Sequence, residues 1–144
     1  MGGDEPRDAA AHRLPVEGAG SHTVLVVDDE PGVRDWISGA LERAGVAAVA
    51  ASNGPEALRL VAHGTVRPTV LLTDIEMPGM SGIELAARVL AIRPGTRVVM
   101  MTGDAGHAAS ARDRTTIVAT VLIKPLDEVA LLDAVRPDAA TPVP

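Results

Sequence analysis

Aromatic residues and cysteine are almost absent from this 144-residue chain, which has one tryptophan, Trp36, and no phenylalanine, tyrosine or cysteine. Hydrophobic residues still make up 47% of the sequence, so the core has to be built from valine, leucine, isoleucine, alanine and methionine. The lack of cysteine fits a reducing compartment. The length suits one domain that buries roughly two-thirds of its surface on folding.

Two further absences narrow the class of protein. The chain has no apolar stretch of about 18 residues, and its first 22 residues contain no continuous apolar segment like that of a secretory signal. The formal net charge of −6 argues against a nucleic-acid-binding surface. We therefore expect a soluble, cytoplasmic protein that binds neither membranes nor nucleic acids.

Regular patterning is confined to residues 22–136, which we predict to be the folded domain. Residues 1–21 are rich in glycine, alanine and charge without periodicity, which predicts a disordered N-terminal tail. Residues 137–144 begin at a proline that ends the last helical pattern, and they are predicted to form a C-terminal tail.

Five short apolar segments alternate with five helical patterns in the folded domain. The apolar segments predict strands over residues 23–27, 46–51, 69–73, 97–101 and 117–123. The helical patterns begin at, or are capped by, Pro31, Asn53, Ser81, Ala105 and Asp127. Short links and continuous apolar strands predict an α/β fold: a doubly wound, five-stranded parallel sheet with helices on both faces.

Polar residues stand at the carboxyl ends of four of these strands. They are Asp28 and Asp29 after the first strand, Asp74 after the third, Thr102 after the fourth and Lys124 after the fifth. In open parallel sheets these ends share one edge, and ligands bind there. Two unit charges about 4 Å apart repel by about 4 kcal/mol at an effective dielectric constant near 20, so three clustered carboxylates require protons or a cation. An acidic, all-oxygen site with room for water and phosphate suits Mg²⁺.

Together these residue types indicate phosphoryl chemistry. Asp74 can act as a nucleophile and form an aspartyl phosphate. Mg²⁺ and the ammonium of Lys124 would neutralise charge on the transferred group, and the Thr102 hydroxyl would donate a hydrogen bond to it.

The same segments resemble the receiver domain of two-component response regulators. The matching motifs are VVDDE at 26–30, TDIEMPGMSG at 73–82, MTG at 101–103 and KP at 124–125. The resemblance implies the strand order 2-1-3-4-5 and a cis bond before Pro125. It makes Asp74 the acceptor of a phosphoryl group from a histidine kinase or histidine phosphotransfer protein. It also implies Mg²⁺ held by Asp28, Asp29, Asp74 and the backbone carbonyl of Glu76, with Thr102 and Lys124 on the phosphoryl group.

A receiver of this kind is a signalling module and not an enzyme beyond its own phosphorylation and slow autodephosphorylation. Its output would pass through protein–protein interaction with an unknown target, and a phosphorylation-dependent dimer is one form of assembly to consider. The alternatives are a receiver of a hybrid histidine kinase that passes the phosphate onward and a metal-dependent phosphatase. A flavodoxin-like cofactor binder is disfavoured, because the acids after the first strand would repel a phosphate.

The sequence departs from the family at one position. Three residues before the lysine of the fifth strand, receivers usually carry an aromatic residue that reorients with the threonine on activation, and Val121 stands there instead. We hypothesise that any switch runs through Thr102 and the loop after the fourth strand, or that phosphate is passed onward. Unchanged amide signals over residues 102–114 on phosphorylation would exclude the loop switch.

Several residues near these motifs have less specific interpretations. Glu76 and Asp104 flank the predicted site, and we hypothesise that they tune hydrolysis by steering water. Trp36 is expected to be a half-buried ring at the edge of the first helix, with a docking surface for a kinase as the functional alternative. The histidines share no ligand spacing and are expected on the surface or in a tail: His12, His22, His63 and His107.

Overall fold

The computed structural model describes residues 22–114 and 117–137. The N-terminal tail predicted for residues 1–21, which includes His12, lies outside the described residues. So do residues 138–144 of the predicted C-terminal tail. The described part is an alternation of strands and helices that begins at Thr23.

The sheet has five parallel strands in the order β2-β1-β3-β4-β5, which confirms the predicted doubly wound fold. The strands are β1 (Thr23–Val27), β2 (Ala47–Ala51), β3 (Val70–Asp74), β4 (Arg97–Thr102) and β5 (Val118–Ile123). The helices are α1 (Pro31–Arg43), α2 (Gly54–Ala62), α3 (Gly82–Ile92), α4 (Ala105–Arg114) and α5 (Glu128–Val135). The strand bounds and the helix starts lie within about one residue of the predicted ones.

Side-chain caps fix the starts of three helices. The side chains of Asn53, Ser81 and Asp127 accept hydrogen bonds from the backbone N–H groups three residues further on. Each cap satisfies one N–H group that has no partner inside the helix. Asp127 was predicted as the first helical residue, and the structure makes it the cap of α5 instead. After α1 the chain turns at Gly45, whose φ of 76° is accessible to glycine without strain.

The sheet separates two apolar layers. Leu25, Leu71 and Met100 face a layer with α2, α3 and α4, whereas Val26, Leu72 and Met101 face a layer with α1 and α5. Because successive strand residues point to opposite faces, strands buried on both sides have to be apolar throughout. The central strand β3 accordingly has five buried residues out of five.

Strand register brings the predicted polar residues to one edge. Val27 pairs with Thr73, so Asp28 and Asp74 follow at the same level. Asp74 pairs with Met101, and Thr102 pairs with Ile123, so Thr102 and Lys124 extend the same row by one step each. Parallel pairing therefore assembles the site from four segments that are distant in the sequence.

Candidate functional site

Three carboxylates meet at the carboxyl edge of the sheet. Asp28, Asp29 and Asp74 each offer an oxygen atom within 4.8 Å of the others. Asp28 is fully buried and Asp74 is 5% exposed, whereas Asp29 faces solvent. The group thus has two sheltered acids and one on the side open to water.

Lys124 lies against the two buried acids. Its Nζ is 2.9 Å from Asp28 Oδ2, 3.3 Å from Asp74 Oδ2 and 3.9 Å from Glu30 Oε1. Burial by itself would lower the pKa of the Lys124 ammonium, but the hydrogen bond and charge of Asp28, together with those of Asp74, raise it above its ordinary value. Lys124 is therefore a fixed positive charge between the two aspartates.

Asp74 is held in an environment that disfavours its charged form. Burial raises its pKa from the ordinary value of 3.8 to about 6, and the neighbouring charges of Asp28 and Glu76 act in the same direction, against the attraction of Lys124. Asp74 Oδ1 is buried and has no hydrogen-bond partner among the described residues. An ionised oxygen without a donor in a buried place is costly unless a cation or another group satisfies it.

The donor set fits Mg²⁺. Carboxylate oxygens are the ligands this hard cation prefers, and the mixed burial of the three aspartates leaves an open side for water or phosphate. The unsatisfied oxygen of Asp74 points to the same kind of ligand. The fit rests on Asp28, Asp29 and Asp74, whose predicted proximity the structure reproduces.

The loop after β1 is held by hydrogen bonds between side chains and the backbone. Arg34 Nη1 donates a hydrogen bond to the Asp28 carbonyl at 2.6 Å, and the Glu30 N–H donates to Asp28 Oδ1 at 2.9 Å. These contacts hold Asp28 from the helix side while Lys124 holds it from the sheet side. Arg34 was not singled out in the sequence, where it looks like any charged residue on an exposed helix.

Thr102 makes its side-chain contacts with Glu76 and Asp104. Its Oγ1 lies 3.0 Å from both oxygens of the Glu76 carboxylate and accepts a hydrogen bond from the Asp104 N–H at 3.0 Å. Glu76 Oε2 is 2.6 Å from Nδ1 of His107 in α4. His107 is exposed as predicted, but its contact with Glu76 was not foreseen, because residues 31 positions apart give no local signal.

The turn after Asp74 depends on a glycine. The Gly82 N–H donates to the Ile75 carbonyl at 2.9 Å, and a Cβ atom at Gly82 would overlap with the Asp74 carbonyl oxygen. The start of α3 is therefore pressed against the backbone at the end of β3. In the sequence Gly82 read only as a break in the chain, since the close approach is visible only in the fold.

The structure also shows where the remaining predicted residues lie: Val121, Pro125, Trp36 and His22. Val121, at the position where receivers usually carry an aromatic, is buried with 6% exposure. The Lys124–Pro125 bond is cis. Trp36 is 40% exposed on α1, in keeping with a partly covered ring. His22 was expected on the surface or in a tail, yet it is partly buried and bridges Thr69 and the Val135 carbonyl.

No helix in the described ranges has the length and apolar character needed to cross a membrane. The same ranges contain the complete set of predicted site residues, from Asp28 to Lys124.

The chain is similar in sequence to proteins of one family. A family profile described as "Response regulator receiver domain" matches residues 24–136. The chain is 32% identical over 113 residues to the sporulation initiation phosphotransferase F of Bacillus subtilis, a match that covers 78% of this chain and 90% of that protein. It is 34% identical over 116 residues to the positive alginate biosynthesis regulatory protein of Pseudomonas aeruginosa, of which the match covers 45%.

Solved structures give the same result. A response regulator receiver protein from Pseudomonas putida is 31% identical, with a TM-score of 0.69 and coverage of 82% of this chain and 98% of that one. The chemotaxis protein CheY4 of Vibrio cholerae is 28% identical, with a TM-score of 0.69 and coverage of 78% of this chain and 94% of that one.

Proposed function

The chain belongs to the response regulator receiver domain family, and from that premise we propose that it accepts a phosphoryl group on Asp74 with the help of Mg²⁺. The receiver unit in this proposal spans residues 22–136. The observation that carries it is the buried Asp74 oxygen without a partner, set within reach of two further aspartates and a lysine.

The donor in this proposal is a phosphohistidine of a histidine kinase or a histidine phosphotransfer protein. An Asp74 carboxylate oxygen attacks the phosphorus atom, and the bond from phosphorus to the donor's imidazole nitrogen breaks, with the electron pair returning to that nitrogen. The proposed ligands of Mg²⁺ are Asp28, Asp29, Asp74 and the backbone carbonyl of Glu76. Bound Mg²⁺ would supply positive charge against the oxygens of the transferred group.

Lys124 and Thr102 are the proposed contacts of the phosphoryl group. Lys124 already sits 3.3 Å from Asp74 Oδ2, so little movement would bring its ammonium to a phosphoryl oxygen on the same carboxylate. Thr102 follows Met101, the β4 partner of Asp74, so it stands one residue further along the same edge of the sheet. Both residues would stabilise charge and neither would supply the nucleophile.

Signalling, and not turnover of a separate substrate, is the proposed role. The chain would catalyse only its own phosphorylation and a slow autodephosphorylation, and its output would pass to another protein. A phosphorelay step, in which the phosphate moves onward to a histidine, is the second candidate. It is favoured by the similarity to a protein named phosphotransferase, of which the match covers 90%.

Intact mass after incubation with acetyl phosphate tests the proposal. We expect one phosphoryl adduct on the wild type with Mg²⁺, no adduct after chelation, and none on Asp74→Asn. Asp35→Asn, which removes an exposed acid from α1, is the matched control and should still form the adduct. An adduct that persists in Asp74→Asn would refute the proposed acceptor. So would a wild type that neither forms an adduct with acetyl phosphate nor binds beryllofluoride.

A further inference from the structure

The Thr102 hydroxyl is already engaged before any phosphoryl group arrives. Its single proton can be donated to only one acceptor at a time, and the Glu76 carboxylate lies 3.0 Å away through both oxygens. Thr102 itself is fully buried, so the hydroxyl has little access to water, and its other acceptor, the Asp104 carbonyl, is farther away at 3.4 Å. A phosphoryl group on Asp74 would therefore have to compete with Glu76 for this proton.

Glu76 in turn is held by α4. Its Oε2 lies 2.6 Å from His107 Nδ1, and the side chains of Glu76 and His107 are 41% and 53% exposed. Both line an open cleft of about 420 Å³ together with Ser110, so the Glu76 side chain has free space beside it. The pair is thus short and direct, yet not packed in place.

Phosphorylation would act on this pair in two ways. The phosphoryl oxygens would offer the Thr102 hydroxyl a charged acceptor, and charge-assisted hydrogen bonds are the stronger kind. Their negative charge would also repel the Glu76 carboxylate, which already interacts unfavourably with ionised Asp74. Both effects favour release of Glu76 from Thr102.

We infer that Glu76 and His107 form a latch on the Thr102 hydroxyl, and that phosphorylation of Asp74 opens this latch and thereby passes the signal to α4. The inference rests on the proposed function. His107 is a positioning residue in this device, since it acts on the phosphoryl site only through Glu76.

The latch offers a route for the signal from Thr102 to α4 that Val121 cannot provide. Val121 is a buried apolar residue of β5, so it lacks the polar, swinging ring that receivers usually couple to the threonine. His107 stands instead in the first turn of α4, where Asp104 Oδ1 accepts hydrogen bonds from the Gly106 and His107 N–H groups. A change at Glu76 therefore reaches the start of α4 through one side-chain contact.

Nuclear magnetic resonance on the full chain tests the latch, with Mg²⁺ and beryllofluoride as the stand-in for the phosphoryl group. We expect beryllofluoride to shift the His107 ring signals and the Thr102 amide, and to leave the exposed His63 ring unchanged. In Glu76→Ala the His107 ring signals should already have the chemical shifts expected without the Glu76 contact, and beryllofluoride should no longer shift them.

Binding affinity gives a second readout whose sign is diagnostic. His107→Ala should weaken the latch and tighten beryllofluoride binding about fivefold, the change expected from losing one competing hydrogen bond of ordinary strength. A purely electrostatic role for a basic ring near the anion predicts weaker binding instead. His107→Gln keeps a donor for Glu76 and should return the affinity toward the wild-type value, and His63→Ala should leave it unchanged.

The outcomes separate the two proposals. Shifts at Asp74 and Thr102 without any response of the His107 ring, or weaker binding in His107→Ala, would overturn the latch and leave the phospho-acceptor role intact. No response at Asp74 and Thr102, together with no acetyl phosphate adduct, would overturn the proposed function and the latch with it.

Discussion

Replacing Asp74 by asparagine should stabilise the protein in metal-free buffer, although it removes the proposed phospho-acceptor. The Asp74 carboxyl is buried and lies near the charges of Asp28 and Glu76. Burial and these charges together outweigh the attraction of Lys124, so its pKa rises from 3.8 to about 6. Asparagine has nearly the same shape as the protonated acid and carries no charge to bury. Lys124 keeps its 2.9 Å contact with Asp28 in the variant, so the ammonium retains a partner.

The magnitude and the pH window follow from the shifted pKa. A pKa unit corresponds to about 1.4 kcal/mol, so the rise from 3.8 to about 6 makes the ionised form destabilise the fold by about 3 kcal/mol. The folded state holds the proton more tightly than the unfolded chain, so this group lowers stability as pH rises from about 4 to about 6. Above that window the penalty is complete, and near pH 5 it is roughly half.

Urea unfolding followed by Trp36 fluorescence and circular dichroism measures the effect. In chelator at about pH 7.5 we expect Asp74→Asn to unfold with a free energy about 2–3 kcal/mol above that of the wild type, and the gain should shrink near pH 5. Asp35→Asn removes an exposed charge from α1 and should change stability by less than about 0.5 kcal/mol. Added Mg²⁺ should stabilise the wild type and have less effect on Asp74→Asn.

An Asp74→Asn variant that is no more stable than the wild type near pH 7.5 would refute the destabilising effect of the buried Asp74 charge. A gain of the same size at pH 5 and pH 7.5 would also contradict it, because a titrating carboxyl must give a pH-dependent difference.

Three other changes probe the scaffold around the site, each followed by urea unfolding. Gly82→Ala should destabilise the fold by about 2 kcal/mol or more, because the added Cβ would overlap a backbone carbonyl. Gly32→Ala, with open space around it, should raise the free energy of unfolding by up to about 1 kcal/mol. Equal effects of the two changes would contradict the close approach at Gly82. Lys124→Met should destabilise by about 3 kcal/mol, as expected when one partner of a buried charge pair is removed, and Mg²⁺ should restore part of the loss; a neutral result would argue against a fixed ammonium. Leu131→Ala, in the buried layer between α5 and the sheet, should destabilise the fold by about 2–5 kcal/mol. Val129→Ala, at a 68% exposed position, should change the free energy of unfolding by less than about 0.5 kcal/mol. Similar losses in the two variants would refute the assigned faces of α5.

Much of the fold follows from local pattern alone. The apolar strands, the caps at Asn53 and Ser81 and the breaks at glycine and proline depend on neighbours within a few residues. Alternating strands and helices then leave few topologies, and the order β2-β1-β3-β4-β5 is the one expected from the family resemblance. The proximity of Asp28, Asp29 and Asp74 follows in turn, because parallel strands bring their carboxyl ends to one edge.

Other properties arise only when distant segments pack together. The raised pKa of Asp74 requires burial and the charges of Asp28 and Glu76, which no short stretch of sequence encodes. The contact between Glu76 and His107 joins a loop to a helix 31 residues later, and both are ordinary surface residues by pattern. Sequence thus determined which chemical groups stand at the sheet edge. Tertiary structure decided their protonation and partners, because these depend on distances of a few ångströms between chain segments and on the exclusion of water.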